Sequence, residues 1–229
     1  GVLTVNPVRG LKLPPRQERQ AGWTWLQPTE IASVFRLDLS AEQRTVLTVA
    51  VYQGLRQGEI AALKWEDVDL DRGTATITGS WDTATKSGRT RPVDLMPVVA
   101  EALIGWRLFS KAGDTGLVFP SPHGGMYGRG FDWGWGDRRF KHGDIPTRAG
   151  IRRRVRFHDL RHTCASNLIS GNWGAPWRLE EVRDFLGHSD LKTTMRYAHL
   201  APDGLRAKVL QTGHTLAAPK TEETRKCLN

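Results

Sequence analysis

His158-Asp159-Leu160-Arg161-His162-Thr163 is the stretch on which the reading of this chain turns. The pattern around it predicts a helix over about 158–170, and residues three apart on a helix share a face, so His158 and Arg161 can point at one target. The stretch also closes a basic run. From Arg138 to Arg161 nine residues are Lys or Arg (Arg138, Arg139, Lys141, Arg148, Arg152, Arg153, Arg154, Arg156, Arg161) against Asp144 and Asp159, a local charge of +7. A lone charge run is most often a solvated loop. One that ends in paired His and Arg points instead to a polyanion partner.

The whole chain carries the same sign. Its 229 residues hold 33 Lys and Arg against 24 Asp and Glu, a net charge of +9. With 39% hydrophobic residues and nine tryptophans it can bury a core, which excludes disorder for most of its length. The longest apolar stretch, about Val46 to Tyr52, is far short of the ~18 residues of a membrane span. Cys164 and Cys227 are the only cysteines and no CxxC occurs, which argues against a disulfide scaffold and for a reducing compartment. Residues 1–22, with Pro7, Pro14 and Pro15 among Arg, Lys and Gln, read as an interdomain linker. One domain over 23–212 and a tail over 213–229 without a core pattern follow. The first residue is Gly and no signal stretch follows it, so a piece of a longer protein is expected.

Within that domain the pattern is mainly helical. Pro28 opens a short helix through Ile31, Val34 and Phe35. Ser40-Ala-Glu-Gln43 is a capping box, ahead of a mostly buried helix running to about Gly54. A further short helix spans Glu59 to Leu63. The period then changes to two: Thr74, Thr76 and Thr78 alternate with Ala75 and Ile77, a polar turn follows around Lys86-Ser-Gly88, and Arg91 to Leu95 returns as a second strand. Pro97 starts a helix to about Phe109, and Leu117 to Phe119 reads as a short strand. The Gly-rich stretch from Pro120 to Gly150, with Trp133 and Trp135, is irregular. Helices follow at about 158–170, 178–186 and 190–199, with a weaker one at 203–210. The expected fold is α+β, a mainly helical domain with a small antiparallel β-hairpin on one side.

Besides His158 and Arg161, four places could carry chemistry. Arg56 in Gly54-Leu-Arg56-Gln-Gly-Glu59 sits at a junction of two apolar helices, where a structural ion pair with Glu59 is an equal reading. Lys86 at the hairpin tip, taken alone, reads as an ordinary exposed turn lysine. His188 follows Gly187, which ends one helix before Ser189 or Asp190 caps the next, so a satisfied turn histidine is the plain alternative. Tyr197, near Met195 and Leu200, reads alone as a core aromatic.

Taken in this order, Gly54-Leu-Arg56-x-x-Glu59, the Lys86 hairpin, His158-x-x-Arg161, Gly187-His188 and Tyr197 nine residues beyond that His resemble the catalytic domain of the tyrosine recombinase (phage integrase) family. The resemblance covers about residues 23 to 210 and leaves 126–150 without a motif. It implies a DNA strand transferase that cleaves and rejoins double-stranded DNA at a specific site through a 3′-phosphotyrosyl intermediate, with no cofactor, metal or ATP. Arg56, Arg161 and His188 would bind the equatorial phosphate oxygens, Tyr197 would be the nucleophile with His158 as a nearby base, Lys86 would protonate the leaving 5′-hydroxyl, and Glu59 would orient arginines. Arg152, Arg153, Arg154 and Arg156 would track the DNA backbone. A homotetramer on DNA for the full-length protein, accessory DNA-bending proteins and a place in the bacterial cytoplasm are further implications.

The chemistry asks for such a set independently. A pentacoordinate phosphorane gathers negative charge on its equatorial oxygens, and preorganised arginines stabilise that state above the ground state. Three rivals were weighed. A metallohydrolase would use His158 and His162 at the i, i+4 spacing of HExxH, but Asp stands where the general base Glu should be, and a guanidinium beside the metal is unfavourable. A type IB topoisomerase would share the chemistry without paired exchange, and the compact size favours the integrase. A DNA-binding module that had lost catalysis would not be expected to keep all six residues.

Overall fold

The computed structural model describes residues 24–81, 83–84, 90–110, 116–129, 131–136 and 144–202. Lys86, the linker at 1–22, the helix expected at 203–210 and the tail lie outside them.

Helix α1 (Pro28–Phe35) buries Ile31 and Val34. Helix α2 (Ala41–Thr48) starts at the expected box: the Gln43 amide donates to Ser40 Oγ at 3.1 Å and the Ser40 amide donates to Gln43 Oε1 at 3.0 Å. The apolar run after it is not ordinary α-helix. Residues Val49–Gln53 form a π-helical turn that ends at Gly54 with φ +62°. The wider turn places the buried Gln53 side chain so that its Nε2 donates to the Asp94 carbonyl (2.8 Å) and its Oε1 accepts from the Met96 amide (3.1 Å). These two bonds tie the helix end to the sheet. Helix α3 (Gln57–Ala62) begins directly afterwards.

The sheet has three antiparallel strands in the order β1 (Val68–Asp69), β2 (Thr74–Ile77), β5 (Arg91–Asp94), with Thr74 opposite Asp94 and Ile77 opposite Arg91. Ala75, Ile77 and Val93 face the core while Thr76 faces out, as the alternation requires. A second ladder, β3 (Gly79–Ser80) with β4 (Thr83–Ala84), extends beyond this sheet. Helix α4 (Pro97–Phe109) packs on α2 through Val99 and Leu103. The strand expected at Leu117–Phe119 is reduced to one bridge, Leu117 to Lys64, because its neighbour leaves the pairing at once in a 3₁₀ turn over Trp65–Asp67. A short helix α5 (Ile145–Arg148) follows the loops that bury Trp133 and Trp135.

Helix α6 (Asp159–Ser170) is the central element, buried from Asp159 through Ile169. Its polar residues have partners: Thr163 Oγ1 accepts from the Leu26 amide at 3.0 Å, and Asn167 Nδ2 donates to the Leu26 carbonyl at 3.2 Å. Buried hydroxyl and amide groups thus satisfy the backbone where the chain enters the domain. Helix α7 (Leu179–Leu186) follows. The helix expected over 190–199 is broken: α8 (Leu191–Met195) ends early and a 3₁₀ turn covers Ala198–Leu200, leaving Tyr197 between them. The fold is α+β, mainly helical with a small antiparallel sheet at one side.

At Gly54 an added Cβ would stand 2.5 Å from Leu186 Cδ2 and 3.0 Å from Cys164 Cβ, in a backbone conformation that L side chains rarely adopt. Gly54→Ala is expected to lower stability by about 2–4 kcal/mol, read as a lower urea midpoint. An unchanged midpoint would show that the π turn and α6 are not in close contact.

Candidate active site

The Arg161 guanidinium is 3% exposed, on the first turn of α6. It donates from Nη1 to the Gly54 carbonyl at 2.7 Å and from Nη2 to the Leu186 carbonyl at 2.6 Å. Each carbonyl ends a helical segment, and the second is followed by Gly187 at φ +69°. Helix C-termini carry partial negative charge, so two of them hold a buried cation in place. Burial and the neighbouring Arg56 press the guanidinium down to about 9, still charged at neutral pH. The Cys164 thiol one turn on is fully buried and pushed up to about 12, which leaves it unreactive.

Glu59, 2% exposed on α3, supplies the counter-charge. Its carboxylate accepts from the Arg56 amide (2.9 Å), Arg56 Nη1 (2.7 Å), Arg91 Nη1 (2.9 Å) and Arg91 Nη2 (3.0 Å). Arg56 Nη2 also reaches the Gly187 carbonyl at 3.5 Å. Glu59 thus holds Arg56 in place, and the second arginine it holds is Arg91, which the sequence pattern does not single out. Arg91 comes from β5, the strand returning from the Lys86 hairpin, and packs so tightly on the helix turn that a Cβ at Gly187 would lie 2.4 Å from its Nε. An Arg in a strand carries no signal of its own. Three guanidinium groups around one carboxylate leave the pocket at 3 − 1 = +2, a site that asks for an anion.

His188 lies at the same turn with Nδ1 2.8 Å from the Thr194 hydroxyl, so a buried threonine of α8 fixes the ring. Burial and the Arg161 and Arg56 charges hold this imidazole down at about 3. His158 is the N-terminal flank of α6 and its ring is exposed; packing around it and Arg161 lower its pKa. Tyr197 is 1% exposed and its hydroxyl is hydrogen-bonded to His162 Nδ1, not to His158. The His158 and His162 rings meet edge to face at 5.3 Å. Burial and the His158 ring bring His162 down to about 4, and burial raises the Tyr197 phenol against the pull of Arg196 and Arg161. The other tyrosines lie elsewhere: Tyr52 stacks at 4.8 Å on Trp173, and Tyr127 at 4.0 Å on Phe131.

The four arginines expected to track the DNA backbone, Arg152, Arg153, Arg154 and Arg156, divide. Arg152 and Arg154 are exposed. Arg153 instead donates to Glu30 Oε2 and the Trp25 carbonyl, both at 2.7 Å, fastening α1. Arg156 forms a pair with the buried Asp159, Nη2 to Oδ1 at 2.8 Å. Both have structural work within the chain.

The description of the phage integrase family matches residues 25–203. The chain belongs to the phage integrase family. A tyrosine recombinase XerC of Xanthomonas campestris pv. campestris is 33% identical over 182 residues, covering 80% of this chain and 51% of that protein. The crystal structure of XerA recombinase superposes with a TM-score of 0.61 at 26% identity, over 82% of this chain and 65% of that one. XerH site-specific recombinase bound to difH substrate in a pre-cleavage complex gives 0.58 at 25% identity, over 77% of this chain and 50% of that one. This integrase-family chain thus spans about half the length of the curated XerC relative. Among the described residues no group of three His, Cys, Asp or Glu is placed to hold a metal ion, and no helix is long and apolar enough to cross a membrane.

Glu59 makes the site's charge a stability question. Burial raises its carboxyl, but the Arg91 bonds, the Arg56 amide and the Arg161 charge override this and hold it at about 2 against an ordinary 4.5. A carboxylate depressed on folding stabilises above its unfolded pKa and loses that contribution as pH falls through the folded one. Between about pH 5 and pH 2 the integrase-family chain is expected to lose about 3 kcal/mol more than Glu59→Gln, which is less stable at neutral pH. Denaturation curves of the two that ran parallel over this range would contradict the pairing.

Proposed function

We propose that this chain is the catalytic part of a site-specific recombinase that cleaves and rejoins double-stranded DNA through a 3′-phosphotyrosyl intermediate at Tyr197. The observation that carries the reading is the net-cationic pocket, in which Arg161 is held by two helix ends and Arg56 by Glu59 and by the second of these ends, the one that also presents His188. Only two of the five N–H donors of Arg161 bond to these carbonyls, so others remain to meet phosphate oxygens. In the tautomer whose Nδ1 accepts from the Thr194 hydroxyl, a neutral His188 carries its proton on Nε2 and acts there as a hydrogen-bond donor. His158 adds a donor from the exposed mouth of the site.

Such donors, fixed before the reaction, stabilise the phosphorane more than the diester. Lys86 protonates the leaving 5′-oxygen, and Arg152 and Arg154, with the exposed part of Arg156, contact the DNA backbone. The phosphotyrosyl bond conserves the phosphodiester energy, so no cofactor is invoked. The whole protein is proposed to act as a homotetramer on its DNA site, with accessory DNA-bending proteins, in the bacterial cytoplasm. DNA as partner rests on family membership and on the DNA-bound XerH relative.

A nicked suicide substrate, whose cleaved strand diffuses away, tests this. A covalent adduct mapping to the peptide that contains Tyr197 is expected, and Tyr197→Phe should bind DNA and form none. Arg56→Lys should keep DNA affinity within a few-fold yet cleave at least about a hundredfold more slowly, since a point charge replaces a planar fork. An adduct on Tyr52 or Tyr127 would overturn the assignment.

A further inference from the structure

We propose that His162 is the group that takes the proton from Tyr197, a catalytic role for the histidine that follows Arg161 in sequence. The inference rests on Tyr197 being the nucleophile and names the base for it. Two observations place His162 there. Its Nδ1 is hydrogen-bonded to the Tyr197 hydroxyl, the atom that must lose a proton before it attacks phosphorus. The phenol is also 1% exposed, so water has little access to the atom that must be deprotonated, and bound DNA would cover the site further. An acceptor has to come from the protein. His158, the other histidine of this turn, is exposed and stands edge-on to His162 at 5.3 Å, while the phenol is hydrogen-bonded to His162.

The fold places His162 for this task through two elements. It sits one turn into α6, next to Arg161, so the helix that aims the phosphate clamp also aims the base. The break between α8 and the 3₁₀ turn then sets Tyr197 against it, where a continuous helix over 190–199 would have turned the phenol differently. Arg156, His158, Asp159, Arg161 and Cys164, on α6 and the residues before it, and Arg196 from the segment that carries Tyr197, face the pair. His188, across on the α7–α8 turn, feels His162 as well. Burial, with the cations among them, keeps the imidazole neutral, and Arg196 and Arg161 pull the buried phenol toward ionisation.

With Tyr197 Oη donating to Nδ1, the neutral imidazole carries its own proton on Nε2. In cleavage the Oη–H bond breaks and the proton moves to Nδ1. The Oη electron pair forms the bond to phosphorus while the bond from phosphorus to the 5′-oxygen breaks, and that oxygen takes a proton from Lys86. Rejoining runs the same transfers backward: the 5′-hydroxyl returns its proton to Lys86 and attacks, and the departing Tyr197 recovers its proton from His162. Each group ends as it began.

The test uses single-turnover cleavage of a suicide substrate with sulfur in place of the bridging 5′-oxygen, whose thiolate leaves without an acid, so that only activation of the nucleophile is read. His162→Asn places an amide oxygen near the position of Nδ1; it can orient the phenol but cannot take its proton. The variant is expected to bind DNA as the parent does, to form its adduct on Tyr197 about a hundredfold more slowly at pH 7, and to regain rate about tenfold per pH unit as the phenol ionises unaided. His162→Ala should show the same slope. Lys86→Ala should be impaired on normal DNA and recover on the sulfur substrate, where the His162 variants do not.

If His162→Asn cleaves the sulfur substrate at the parent rate with the parent pH profile, His162 only packs against Tyr197 and the proposal fails, while the assignment of the nucleophile stands. If the His162 variants cleave faster than the parent, the contact restrains the phenol instead of activating it, and the proposal also fails. No adduct on Tyr197 in the parent protein would remove the underlying reading itself.

Discussion

A buried guanidinium bonded to the carbonyls of two helix ends is the constraint around which this domain is arranged. Taking the Arg161 charge out of water costs several kcal/mol unless it is met by fixed partners. The Gly54 and Leu186 carbonyls meet it, each at the C-terminus of a helical segment. Both segments end in a left-handed glycine, which lets the chain turn away and leaves the carbonyl aimed at the cation. Removing the charge would leave two buried acceptors without it, and removing either helix end would leave a buried cation with half its support. The clamp and the packing of α6 against its neighbours are therefore the same set of contacts.

Glu59 completes the arrangement by being outnumbered. One buried carboxylate holds Arg56 and Arg91 and feels Arg161, enough to organise the cations and too little to neutralise them. The surplus positive charge acts together with burial. It prepares the pocket for an anion without further rearrangement. Burial first, and for His188 the Arg161 and Arg56 charges, keep the nearby imidazoles neutral, so that His188 and His162 can donate or accept single protons at neutral pH.

Much of this could be read from residues alone. The helix α4 from Pro97 to Phe109, the capping box at Ser40, and strands β2 and β5 followed from local pattern, because each is set by capping, a proline or a period-two alternation within a few residues. Arg56, His158, Arg161, His188 and Tyr197 stand out only through family resemblance, since nothing in a single Arg or His distinguishes a phosphate ligand from a surface ion pair. What escaped depends on contacts distant in sequence. Arg91 gains its place only when β5 lies beside α3, and Thr194 matters only once α8 folds back on His188. The π turn at Val49–Gln53 and the break before Tyr197 are choices made by packing, which no helical period encodes. His162 stood in the sequence as a metal ligand of a rejected rival; its pairing with Tyr197 emerges from the crossing of α6 by the last described segment.

The central claim is that Arg56 and Arg161 are aimed at one phosphate by the fold itself. A crystal structure of Tyr197→Phe bound to uncleaved duplex DNA measures this most directly. Both guanidinium groups should lie within hydrogen-bonding distance of non-bridging oxygens on the same phosphate, with the Arg161 bonds to Gly54 and Leu186 kept. A phosphate bound elsewhere, or an Arg161 that leaves these two carbonyls to reach it, would contradict the account.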